Sequence, residues 1–115
     1  MLKKANRLST NFEINVSRKY GAKVSGQNFH MFYLKAKNYE GPSKFTVVVS
    51  NKFDKSAVKR NKVKRLFREA VRINLDKIKP GYWVVIHPKF FSIEKNYEEI
   101  NTDFVKTLQT LPLAK

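Results

Sequence analysis

Apolar and polar positions alternate along this chain with a period that changes from block to block, and each change marks an element. Between Thr10 and Gly21, residues Phe12, Val16 and Tyr20 recur every four positions and so share one helical face. Thr10 and Glu13 read as a capping box at its start, and Gly21 as a left-handed stop at its end. Core packing is the ordinary fate of such a stripe. Over residues 28–36 the density of Phe29, Met31, Phe32, Tyr33 and Leu34 is that of a strand. A loop containing Gly41 and Pro42 separates it from a second strand at residues 45–50, apolar enough for burial on both faces, and a hairpin is the expected pairing.

The period then lengthens. Asp54 or Ser56 can cap a long helix over about 56–79, in which Val63, Leu66, Phe67, Ala70, Val71, Leu75 and Ile78 form the buried stripe before Pro80-Gly81. A third strand, residues 82–86, closes at His87-Pro88, and a final helix over about 97–111 carries Ile100, Phe104, Leu108 and Leu111 on one side. Glu94, Glu98, Glu99 and Asp103 gather around its start, where carboxylates suit the helix dipole. The expected fold is α/β, of the α+β kind: a two-layer sandwich in the order α-β-β-α-β-α, with room for one more short strand. The 115 residues fit a single domain, 1–115, with no internal repeat or linker.

Charge changes the picture more than size does. Lys and Arg number 24 against 9 Asp and Glu, a formal net charge of +15, so the partner is expected to be a polyanion. The chain has no cysteine, which excludes a disulfide framework and a thiolate metal site, and its apolar runs are too short to span a bilayer. A cytoplasmic protein that engages no membrane is the expectation. The charge concentrates on the long helix, where Arg60, Lys64, Arg68 and Arg72 step by four with Lys59, Asn61, Lys62 and Arg65 beside them. Stacked like charges destabilise an isolated helix. A phosphate backbone compensates them through counterion release, and the arginine fork can take two phosphate oxygens at once.

The run Ala57-Val58-Lys59-Arg60-Asn61-Lys62-Val63-Lys64-Arg65-Leu66-Phe67-Arg68-Glu69 closely resembles the signature of the bacterial ribonuclease P protein family, whose pattern is Ala-Val-x-Arg-Asn-Arg-x-Lys-Arg-x-x-Arg-Glu after an apolar strand. Val47-Val48-Val49-Ser50-Asn51-Lys52 precedes it at the spacing that the resemblance requires, and Asn6-Arg7-Leu8, Gly21, Phe29 and residues 82–86 extend the likeness over most of the chain. Lys62 stands where that family usually has Arg, Asn51 where it has Lys, Val71 where an aromatic is common, and Ile14 where Phe is usual. The resemblance implies the protein subunit of an RNA-based endoribonuclease that removes the 5′ leader of precursor transfer RNA. Chemistry would belong to the RNA subunit and its Mg2+, and the protein would bind ribonuclease P RNA and precursor tRNA; the sequence itself offers no cofactor motif and no His, Asp and Glu cluster at metal-ligand spacing. Arg7 and Lys52 join the helix residues as RNA contacts, and a cleft between the sheet and the first helix would hold the single-stranded leader.

Phe12, Tyr20, Phe29, Phe32 and Tyr33 are the aromatic faces available for that cleft, since unpaired bases stack on such rings. Strand alternation sends Phe29 and Tyr33 to one side and Phe32 to the other. His30 and His87, each alone in an apolar strand, read as structural, and no glycine-rich phosphate loop is present. Three alternatives remain: a structural RNA-binding protein such as a ribosomal component, without effect on leader cleavage, a basic nuclease acting alone, which would need His30 or His87, and a DNA-binding helix.

Overall fold

The computed structural model describes residues 3–50 and 52–115, so Asn51 lies outside the described residues. Three helices, α1 (Asn11–Tyr20), α2 (Ala57–Ile73) and α3 (Tyr97–Leu108), accompany four strands, β1 (Ala22–Ser25), β2 (Phe29–Lys35), β3 (Lys44–Val47) and β4 (Tyr82–Pro88). The fold is α+β, and the additional short strand is β1. Sheet order is β1-β2-β4-β3, with β1, β2 and β4 antiparallel in turn and β3 parallel to β4.

That order corrects the expected hairpin. β2 and β3 are not neighbours, because β4 separates them, and the tight hairpin joins β1 to β2 instead. The reason lies in β4 itself. Val84, Val85 and Ile86 are all fully buried, so this strand needs cover on both faces and takes a central position. β3 reaches it through α2, and a connection through a helix returns the chain in the parallel direction. Nor is β3 buried on both faces: Phe45 and Val47 point inward, whereas Lys44 and Thr46 are half-buried. Its free edge is partly covered by the N-terminal segment, where the Leu8 amide donates to the Phe45 carbonyl at 2.9 Å.

One face of the sheet packs on α2 and α3. Phe29, Met31, Phe45, Val47, Val84 and Ile86 meet Val63, Phe67, Val71, Ile100, Phe104 and Leu108, and Phe29 stands edge-on to Phe67 at 5.7 Å between ring centroids. The other face carries α1, which turns Ser17 and Arg18 toward the sheet and leaves Phe12 70% and Tyr20 66% exposed. The stripe expected in the core is therefore largely on the surface. Gly21 is extended (φ −77°) rather than left-handed, and what requires glycine there is proximity, since a Cβ would collide with the carbonyl oxygens of Ser17 and Tyr33.

Two helix ends also differ from expectation. α2 stops at Ile73, short of 79, because the Asn74 side chain turns back to donate to the Ala70 carbonyl (2.7 Å) and to Asn101 (2.8 Å), and a single 3-10 turn, Leu75–Lys77, follows. α3 stops at Leu108, after which the chain turns so that Leu113 enters the core and its carbonyl accepts from the Lys79 amide. Gly81 has φ +90°, the left-handed conformation that lets the chain enter β4. No helix among the described residues is long and apolar enough to cross a membrane.

Candidate nucleic-acid interface

The N-terminus of α2 is built by two caps in series. Asp54 Oδ1 accepts from the Ser56 amide at 2.8 Å, and Ser56 Oγ accepts from the Lys59 amide at 3.3 Å. Val63, Phe67, Ala70 and Val71 then anchor one face, which obliges Lys59, Asn61, Lys62, Arg65, Arg68 and Arg72 to face outward. The four-residue ladder read from the sequence is only partly realised. Arg60 and Lys64 lie half-buried on the flank, and Arg60 Nη1 donates to the Asp54 carbonyl at 2.7 Å, so this arginine holds the loop that enters the helix. Arg72 grips Glu69 in a fork; that hydrogen bond holds the Glu69 carboxyl below its ordinary range. Lys62, Arg65 and Arg68 line one groove of about 470 Å³ that ends on Tyr97 of α3.

Arg7 and Lys52 sit apart from that groove. Arg7 reaches the β3 edge beside Arg68, in a smaller groove of about 200 Å³ that also includes Ser9 and Thr46. Exposed Lys52 lines a third groove, of about 360 Å³, with Arg18, Val48, Phe53, His87 and Phe90.

The third groove opens onto the sheet face that α1 leaves uncovered. His30 pairs with His87 across β2 and β4, and Ser25 with His30 and Lys23 with Phe32 across β1 and β2, so all five side chains belong to this face. Lys23 Nζ stands 5.9 Å from the Phe32 ring centroid, and that ring meets the His87 imidazole edge-on at 5.7 Å. Arg18 Nε donates to His87 Nε2 at 3.1 Å, while Ser25 Oγ and His30 Nδ1 lie 2.7 Å apart. Burial, then Arg18, then His30 and Lys23 push the His87 imidazole down to about 4. His30 is lowered as well, by burial and by Lys23 and Lys89.

The aromatic candidates divide accordingly. Phe32 belongs to the open face, and Phe12 and Tyr20 stand exposed on α1. Phe29 is fully buried between Phe67 and Phe104 and is corrected from cleft to core; Tyr33, on the same side, packs against that core. Sequence reasoning missed Phe90, 72% exposed and edge-on to Phe91, together with Arg18 and Lys23. The signal for Phe90 was an aromatic pair just after Pro88-Lys89, outside every periodic block. For Arg18 and Lys23 there was none, since their role depends on the β1–β2–β4 register.

The geometry has independent counterparts. A family model described as ribonuclease P matches residues 2–112. The "Ribonuclease P protein component" of Clostridium botulinum (strain 657 / Type Ba4) is 35% identical over 107 residues, covering 92% of this chain and 94% of that protein. The protein of the same name from Clostridium kluyveri is 33% identical over 112 residues, with 95% and 96% covered. Among solved structures, the RNase P protein of Staphylococcus aureus superposes with a TM-score of 0.84 over 97% of this chain and 100% of that one, at 21% identity, a likeness of fold. The RNase P protein of Thermotoga maritima gives 0.78 over 91% and 96%, at 25% identity. A match to the family model over nearly the whole length, together with relatives above 30% identity, places the chain in the bacterial ribonuclease P protein family.

Proposed function

We propose that this chain is the protein subunit of a ribonuclease P, that the outward face of α2 binds the catalytic RNA, and that the open sheet face beside α1 receives the single-stranded 5′ leader of precursor tRNA. The observation that carries this reading is the pairing of two unlike cationic surfaces on one frame. The α2 face offers exposed arginines and lysines with few aromatics, suited to the backbone of folded RNA. The sheet face interleaves Lys23, Arg18 and Lys52 with Phe32 and Phe90, and Phe12 and Tyr20 stand exposed on α1, a combination suited to unpaired nucleotides. The Phe32 ring is fixed by the β register, so stacking on it costs little ordering. The protein assists by supplying counter-charge where two polyanions meet, while the RNA subunit with its Mg2+ performs the cleavage. What supports this division is that His30 and His87 lie among lysines and arginine, with no carboxylate among the described residues bonded to either as a general base would need.

Because the chain contains no cysteine, a single introduced thiol can carry a photoactivated cross-linker. From Arg65→Cys the link is expected to form with the catalytic RNA, and from Ser25→Cys with the leader. Both positions linking to the same RNA segment would overturn the assignment of two surfaces.

A further inference from the structure

The open sheet face holds a cluster of basic groups with no carboxylate side chain of the described residues among them. Arg18 comes from α1, Lys23 from β1, His30 from β2, His87 from β4 and Lys89 from the segment after it. The nearby carboxylates are engaged elsewhere: Glu13 of α1 accepts from the Thr10 hydroxyl and pairs with Lys44 at 3.7 Å, and Asp103 of α3 accepts from the amides of Gln27 and Asn28. Lys89 is held by the Gly26 carbonyl at 3.1 Å. Since His87 Nε2 accepts from Arg18, it carries no proton there, and the neutral imidazole fixes the guanidinium over the sheet. His30 is the less buried of the two rings, with Ser25 Oγ against Nδ1.

Resting on the leader-cleft reading above, we propose that Arg18, Lys23 and His30 form a phosphate-binding site for single-stranded RNA, and that seating the phosphate draws one proton from solvent onto His30. The argument is one of charge. Burial disfavours the charged ring, and the charged groups that act on His30 from the elements around it, Lys23 and Lys89, are cationic, so the free protein lowers the proton affinity of the ring. A phosphate placed among Arg18, Lys23 and His30 reverses the sign of the local field and favours the imidazolium, which then donates a charge-assisted hydrogen bond. Because the bound state has the higher proton affinity, affinity rises as pH falls, by up to about tenfold per pH unit between the two titrations of His30. His87 acts as a positioning residue for Arg18 and takes no proton.

The test is calorimetric titration of the full chain with a uridylate octamer, whose bases do not titrate between pH 5.5 and 8, in two buffers of different protonation enthalpy. The expected result is net proton uptake approaching one per octamer, lost in His30→Gln, with His87→Gln weakening binding while proton uptake persists. Lys23→Gln, at an exposed position, should weaken binding without affecting the fold. Tight binding without proton uptake, still sensitive to Arg18→Gln, would overturn the proton linkage and leave the leader cleft standing. Binding indifferent to Arg18→Gln, Lys23→Gln and His30→Gln would overturn the site. An octamer that does not bind at all would overturn both this inference and the leader reading.

Discussion

Neutralising Lys62, Arg65 and Arg68 together, each by substitution with Gln, isolates the electrostatic role of the α2 groove. The three side chains line the same groove, all are exposed, and among the described residues no hydrogen bond ties any of them to the loop before the helix, in contrast to Arg60. If each contacts one phosphate, the slope of log K against log salt should fall in magnitude by about 0.9 per charge removed, close to 3 in total. Integrated from about 0.15 M to 1 M salt, that slope corresponds to about two decades of affinity, or about 3 kcal/mol. The assay is binding of the folded catalytic RNA across a salt series, with thermal melting as control; surface substitutions of this kind change stability by about 0.5 kcal/mol or less. A wild-type slope in the triple variant, or an affinity loss that does not shrink with added salt, would refute the reasoning, because either means the groove does not sit on phosphates.

Three further outcomes follow from the geometry. Phe12→Ala with Tyr20→Ala should leave melting unchanged but cost about 1–3 kcal/mol per stacked base in the preference for precursor over mature tRNA, whereas Phe29→Ala should destabilise the fold by about 3–5 kcal/mol; equal preference in the double variant would remove α1 from the cleft. Asp103 accepts from the Gln27 amide (2.9 Å), the Asn28 amide (2.8 Å) and the Asn28 side chain (3.2 Å), so it fixes the β1–β2 turn. Asp103→Ala should lower stability by about 3 kcal/mol and the melting temperature by about 10–15 °C, read by calorimetry. The His87 imidazole titrates near 4 when folded and near 6.5 when unfolded, so the unfolded chain takes the proton first and the native state loses stability as pH falls from 6.5 toward 4. Melting of His87→Gln should therefore depend less on pH in that window than wild type, and identical profiles would mean that burial does not suppress the charge.

Element identity was legible wherever local chemistry decides it. The α2 stripe, the β-branched run of β4 and the four-residue spacing of Ile100, Phe104 and Leu108 in α3 each express a period within a few residues. What the sequence did not disclose depends on contacts between distant segments. The β2–β3 hairpin was the economical reading of two adjacent strands, yet burial of β4 on both faces places that strand between them. The α1 stripe had the spacing of a core helix, but its inward positions are Ser17 and Arg18, one small and one drawn to His87. Thr10 caps α1 as expected, its Oγ1 accepting from the Glu13 amide at 3.2 Å, but the Glu13 carboxylate takes the Thr10 hydroxyl, and the fully reciprocal capping box is at α3, where Asn96 and Glu99 cap each other's amides. Of the site, the α2 charges were visible because helical spacing alone aligns them. The Arg18, Lys23, His30 and His87 group was not, because four separate elements contribute it.

As the proposed protein subunit of a ribonuclease P, this chain should stimulate leader removal by the catalytic RNA at low magnesium, where its counter-charge matters most. The direct measurement is single-turnover cleavage of a precursor tRNA by ribonuclease P RNA at low magnesium, with and without the protein, mapping the cut. Stimulated cleavage at the mature 5′ end, with none from the protein alone, is the expected result. No stimulation by folded protein that binds the RNA tightly, or cleavage by the protein without RNA, would contradict the account.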